Sequence, residues 1–255
     1  MTYCLGIITK YGLLMASDSR TNAGVDHVST YLKLFDFSCP GDRVILLSCS
    51  GNLSITQSVI NELRRDIQAG EVENLHSLHS LYEIARYIGA ITRRVQERDR
   101  PWLEKDGIDC ACNFLLGGQV HEQEPELMLI YSQGNFICAT PETPFLQIGE
   151  TKYGKPILDR TLTFDTSLDV AAKCALLSID STMKSNISVG PPIRIVLYER
   201  NSLKISHQLE FRIGDPYLME VRRLWEECLK QGFANIPDID WQQHFHQNPT
   251  NGLID

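Results

Sequence analysis

The apolar periodicity of this chain changes in blocks, and that block order limits its architecture more than any single motif does. Alternating, strand-like patterns occupy 2–8, 13–17, 31–37 and 43–49, and the turn-like tetrapeptide Thr9-Lys10-Tyr11-Gly12 joins the first pair. Helical spacing then takes over at Leu53, Val59, Ile60, Leu63 and Ile67, with Gly70 as the stop. A second helix is predicted over 78–97, where Leu81, Ile84, Ala85, Ile88 and Ile91 form the apolar stripe and Arg93, Arg94 and Arg98 face water. Strands return over 111–116, 124–131 and 135–139, and a short one ends at Gly149. A helix over 168–184, strands over 193–198 and 203–210, and a helix over 216–231 complete the order. Segregated blocks of this kind indicate α+β rather than the regular alternation of a parallel sheet, and two sheets flanked by helices would bury every stripe. The expected fold is therefore a four-layer αββα sandwich over 1–234, its first fifty residues forming one four-stranded antiparallel sheet. The remaining 235–255 is a polar tail carrying Trp241 and Phe245, read as either disordered or an arm that docks elsewhere.

Charge and cysteine usage exclude several functions. A net charge of -8 and the lack of any Lys/Arg run speak against nucleic-acid binding, which needs a basic face for phosphate. No secretory signal is evident, and no window approaches the roughly 20 apolar residues that span a bilayer, so neither a membrane nor an exported location is expected. Eight cysteines without a CxxC pair fit reduced thiols in a cytoplasmic protein. His76 and His79 with Glu73, or His244 with His246, lack a third ligand at fixed spacing, and no metal or other cofactor is expected. Cys110 and Cys112 share one strand face as core thiols. Gly117-Gly118 lacks a following Lys-Ser/Thr and is read as a turn, not a nucleotide site.

The residues that can carry chemistry sit at the start. Thr2 follows the initiator Met directly, so aminopeptidase removal of Met1 would leave a hydroxyl and a free α-amine on one residue. An α-amine titrates at about 7.7–8.0, near enough to neutrality to take the hydroxyl proton. A nearby ammonium would favour the neutral, proton-accepting amine; Lys33 is the candidate, with Asp18 as its counter-ion. Taken singly, a strand Lys and a strand-end Asp usually belong to a solvated face, and Lys33→Ala is expected to fold normally.

The ordered string Thr2, Ala16-Ser17-Asp18-Ser19-Arg20, Lys33 and Ser50-Gly51-Asn52 resembles a proteasome-type β-subunit. Beyond that start, MTYCLG at 1–6, SDSRTNAGVDHVST at 17–30, GETKYGKPILDR at 149–160 and STMKSNISVGPP at 181–192 resemble the Anbu group of bacterial proteasome-related N-terminal nucleophile hydrolases. The resemblance implies a threonine-type peptidase or amidase. In that role Thr2 is the nucleophile, Asp18 and Lys33 tune and orient it, and the Gly51 N–H helps hold the oxyanion. It also implies an oligomer, ring or helical, that acts on peptide or unfolded polypeptide, with Arg20, Tyr31 and Cys49 lining the pocket beside the scissile bond. Whether an ATPase partner exists is left open.

Two departures from the ordinary proteasome pattern touch the groups around the terminal amine. Glu150 stands in a Gly149-Glu150-Thr151 run where those subunits have Gly-Ser-Gly, and would favour a protonated amine. Ser185 stands three residues before Ser188, in place of an Asp. An amidohydrolase for a small or isopeptide-like amide, and a catalytically silent assembly protein of the same fold, remain as alternative readings.

Overall fold

The computed structural model describes residues 1–22 and 28–241; backbone alone is described at Asn22 and Val28. Strands β1 (Tyr3–Thr9) and β2 (Gly12–Ser17) are buried along their whole length, so they serve as interior strands with both faces covered. They form the centre of a five-stranded antiparallel sheet whose order is β10-β1-β2-β11-β12, completed by β10 (Phe145–Gly149), β11 (Ile193–Glu199) and β12 (His207–Phe211). The second sheet runs β5-β6-β7-β8-β9, from β5 (Leu34–Asp36) through β6 (Arg43–Gly51), β7 (Cys112–Val120) and β8 (Glu126–Ile130) to β9 (Phe136–Cys138).

Three apolar clusters map the layers. Helices α1 (Leu53–Ala69) and α2 (Leu81–Leu103) lie on the second sheet through Ile55, Val59, Leu63, Ile84 and Ile88. Helices α3 (Lys155–Thr161) and α4 (Leu168–Ser185) cover the first sheet, where Leu158, Ala171, Ala175 and Ile179 meet Tyr3, Leu5 and Ile7. Cys4, Leu13, Met15, Val44, Leu46 and Leu115 fill the space between the sheets. The result is an αββα sandwich with α5 (Pro216–Ala234) outside it against α4; no α5 residue is buried.

The first fifty residues do not form one sheet. β1 and β2 pair with β10 and β11, whereas β5 and β6 belong to the opposite sheet. Between them lies a small hairpin, β3 (Arg20–Asn22) with β4 (Val28–Thr30), so the chain changes sheets after β2. Gly117-Gly118 is not a turn either: both lie inside β7, where a Cβ on Gly118 would come within 1.9 Å of the Val44 carbonyl oxygen. Gly118 serves close approach of neighbouring backbone, and Gly117 leaves room for the Met15 side chain. The strand expected over 203–210 starts only at His207, because Asn201 and Leu203 take positive φ in the preceding turn.

Candidate active site

Thr2 is placed by backbone contacts at the mouth between the two sheets. Its carbonyl accepts the Glu150 N–H at 2.7 Å, and the adjoining Gly149 has φ +86°, with a Cβ there falling 2.0 Å from the Thr2 oxygen. Only glycine permits that approach, so Gly149 fixes where the N-terminal strand begins. Thr2 and Met1 then line a cleft of about 510 Å³ together with Lys33, Cys49 and Gly51.

Asp18 is fully buried where β2 ends, and four groups surround its carboxylate and backbone. Tyr3 N–H donates to Oδ1 at 3.0 Å, Gly190 N–H donates to Oδ2 at 3.2 Å, and Lys33 Nζ donates to Oδ1 at 2.8 Å. Asp18 N–H in turn donates to the Tyr3 carbonyl at 3.1 Å, locking this corner to the residue after Thr2. Burial pushes the Asp18 carboxyl above its usual range, against the pull of Lys33 and of the two N–H donors. Lys33 is only 4% exposed; its ammonium also donates to the Arg20 carbonyl at 2.5 Å, and its own carbonyl accepts Cys49 N–H. The solvated-face reading of both residues therefore does not hold: they form a dry ion pair that ties the sheet-changing segment to β2. A buried pair gains little net stability but leaves an uncompensated charge when broken.

The end of β6 also lines this cleft, through Cys49, Ser50 and Gly51. Gly51 has φ +105°, and a Cβ there would lie 2.3 Å from the Ala111 oxygen, so its backbone sits hard against the start of β7. Asn52 follows as the N-cap of α1, its side-chain oxygen accepting from Ser54 and Ile55. The site thus combines a helix N-terminus, a positive-φ glycine and Thr2 around one cleft.

The remaining expected residues divide. Glu150 is buried, and its Oε2 accepts from Asn186 Nδ2 at 3.0 Å; Asn186 Oδ1 accepts Ser188 N–H at 2.9 Å. These contacts bring Glu150 and the Ser188 turn together beside the Thr2 strand. Ser185, the exposed last residue of α4, lines a neighbouring cleft with Arg20, Met183 and Arg222 rather than the one that holds Thr2. Of the three residues expected beside the scissile bond, Cys49 lines the Thr2 cleft, but Arg20 and Tyr31 do not; their neighbours Thr21 and Leu32 do. Arg20 instead donates to the Ile187 carbonyl at 2.7 Å. Phe35, Asp109 and Asn113 also line the cleft and were not singled out from sequence.

Other sequence candidates fall outside this site. His76 Nε2 contacts the Phe37 carbonyl at 2.9 Å, a structural use of that ring. His244 and His246 lie outside the described residues. Cys110 and Cys112 are both buried in the helix-covered core. Cys39, Cys138 and Cys228 are exposed, whereas burial pushes the Cys49 thiol to about 12 despite its place on the cleft wall. Iodoacetamide at pH 8 is expected to modify the exposed Cys39 and Cys228 while leaving Cys49 intact, as read by peptide mapping. Rapid alkylation of Cys49 would show an open, ionised thiol in the cleft.

Comparison with known proteins bears on this arrangement. The proteasome subunit family model matches residues 2–197. Anbu, the ancestral beta-subunit, from Yersinia bercovieri is 46% identical, with a TM-score of 0.88 over 94% of this chain and 99% of that one. A structure described as the helical assembly of the Anbu complex from Pseudomonas aeruginosa is 44% identical, with a TM-score of 0.90 over 94% and 99% of the two chains. Anbu from Hyphomicrobium sp. strain MC1 is 40% identical, with a TM-score of 0.86 over 94% and 100%. No curated protein matches the chain.

Proposed function

The chain belongs to the proteasome subunit family, within it to the Anbu group, and from that premise we propose that it is a threonine-type N-terminal nucleophile hydrolase of amide bonds. The observation that carries the proposal is the shared cleft of Thr2, Lys33 and Gly51, backed by the buried Asp18–Lys33 pair. After removal of Met1, the Thr2 α-amine takes the proton from its own hydroxyl, whose oxygen attacks the amide carbonyl. The charge that develops on the carbonyl oxygen is met by the Gly51 N–H, and the amine returns the proton to the leaving nitrogen. Lys33 holds a fixed positive charge beside the amine, and Asp18 fixes Lys33 and the Tyr3 N–H in place. Glu150 and Ser188 are assigned to orienting the terminal amine; Ser185 is retained as a candidate for the same role, acting through the turn that follows α4.

The relative from Pseudomonas aeruginosa is described as a helical assembly, and self-association of this chain is proposed by that likeness. Exposed Met219, Leu224, Leu229 and Phe233 on α5 support a contact made through helices. A head-to-tail contact between copies closes into a ring or continues as a helix. No helix among the described residues is long and apolar enough to cross a membrane. The substrate class is a short or unfolded polypeptide, since the sequence carries no motif for an unfolding ATPase. A panel of short fluorogenic peptides beside a folded protein tests this: slow cleavage of peptides with none of the folded substrate is expected. Efficient digestion of the folded protein by this chain alone would contradict it.

One observation favours the silent reading. The buried Glu150 carboxylate has no cationic partner among the described residues, and it neighbours the residue whose amine must be neutral to act. An ammonium on Thr2 would satisfy it and would disarm the base at the same time.

A further inference from the structure

The walls of the Thr2 cleft are mostly uncharged. Leu32, Phe35, Cys49 and Leu53 supply an apolar side, and the two charged side chains on its lining are Lys33 and Asp109. They are not equivalent. Lys33 Nζ is spent on Asp18 Oδ1 at 2.8 Å and on the Arg20 carbonyl, and its side chain is 5% exposed, so its ammonium is held inside the protein rather than presented to a ligand. Asp109 is exposed, and no ion pair engages it among the described residues.

Asp109 is also held in place. Its Oδ1 accepts the Ala111 N–H at 2.9 Å, and its carbonyl accepts Asn52 Nδ2 at 2.9 Å, which ties it to the residue after Gly51. Because Asn52 N–H donates to the Ala111 carbonyl, the Asp109 loop and the Gly51 wall form one unit. Asn113 beside it has its Oδ1 occupied by the Ser132 N–H, which directs its amide nitrogen, a donor, toward other partners. The second oxygen of Asp109 is thus an acceptor with a negative charge on the lining of a cleft that also carries Leu32, Phe35 and Leu53.

We propose that Asp109 makes this cleft select polypeptides with a Lys or Arg side chain close to the scissile bond. The methylene stem lies along Leu32, Phe35 and Leu53, and the cationic head reaches Asp109, a division of labour that long basic side chains permit and Leu or Glu does not. That Thr2 cleaves what binds here rests on the hydrolase reading above; the selection itself is a property of the cleft and holds without turnover.

The test therefore separates binding from chemistry. Three fluorescent peptides that differ only in one central residue, Lys, norleucine or Glu, are titrated against full-length Thr2→Ala protein by fluorescence polarisation. At low salt the Lys peptide is expected to bind about fivefold more tightly than the norleucine peptide, the scale of a partly exposed ion pair, and the Glu peptide more weakly than both. The preference should shrink toward unity at 1 M salt. Asp109→Asn, which keeps an Oδ1 acceptor for Ala111 N–H, should erase the difference between the Lys and norleucine peptides. Equal binding of all three peptides by the parent cleft would overturn the proposal, as would a Lys preference that survives in Asp109→Asn. Hydrolysis by the protein with Thr2 intact is measured in parallel; selective binding without cleavage would leave the selection standing and remove the hydrolase reading.

Discussion

Lys33→Ala is expected to lose reactivity toward an amide-mimicking electrophile and to lower the unfolding free energy by about 3–5 kcal/mol. The second effect is what the structure adds, since sequence alone treats Lys33 as a tuning charge whose removal leaves the fold untouched. Its side chain is 5% exposed and its partner Asp18 is fully buried, so truncation leaves a carboxylate in a dry site with two backbone donors and no cation. The double variant Asp18→Asn, Lys33→Met removes both charges and should regain part of the lost stability while remaining unreactive, since the Asn amide nitrogen cannot accept one of the two backbone N–H donors. Urea unfolding with electrophile labelling separates the two roles. A Lys33→Ala protein as stable as its parent would mean that the pair is solvated. A double variant that labels at the parental rate would mean that the positive charge plays no part in activation.

Thr2→Ala should abolish labelling, a loss of about 10³-fold or more, with little change in melting temperature. Thr2 is half-buried, and its structural tie is the carbonyl that accepts the Glu150 N–H, a contact any residue can supply. Thr2→Ser keeps the hydroxyl and should retain measurable reaction. Undiminished labelling of Thr2→Ala would assign the nucleophile elsewhere.

The sandwich was legible in the sequence because each layer carries its own period. Val59, Ile60 and Leu63 on α1 and Leu81, Ile84 and Ile88 on α2 appear in the core where their spacing puts them. Pairing of strands across the chain was not legible. β1 and β2 lie between β10 and β11, which follow them by more than a hundred residues, and no local turn signal reports such a partner. α3 escaped because its seven residues give too short a window for helical periodicity. In the cleft, Thr2, Lys33 and Gly51 were found because their chemistry is distinctive and their order matches a family. Thr21, Leu32 and Asp109 were not, since small polar, aliphatic and loop acidic residues mean nothing until the fold brings them to one wall. The gap is sharpest at Asp18 and Lys33, whose burial follows from the change of sheets between β2 and β5.

On the proposed mechanism, Thr2 with a free α-amine is the reacting group. The direct measurement is mass spectrometry of the natively produced protein after treatment with an electrophile that bridges a hydroxyl and an α-amine, such as a peptide epoxyketone. The expected result is a chain lacking Met1 that carries one adduct, confined to Thr2 and lost in Thr2→Ala. A chain that retains Met1 throughout, or an adduct on any other residue, would contradict it.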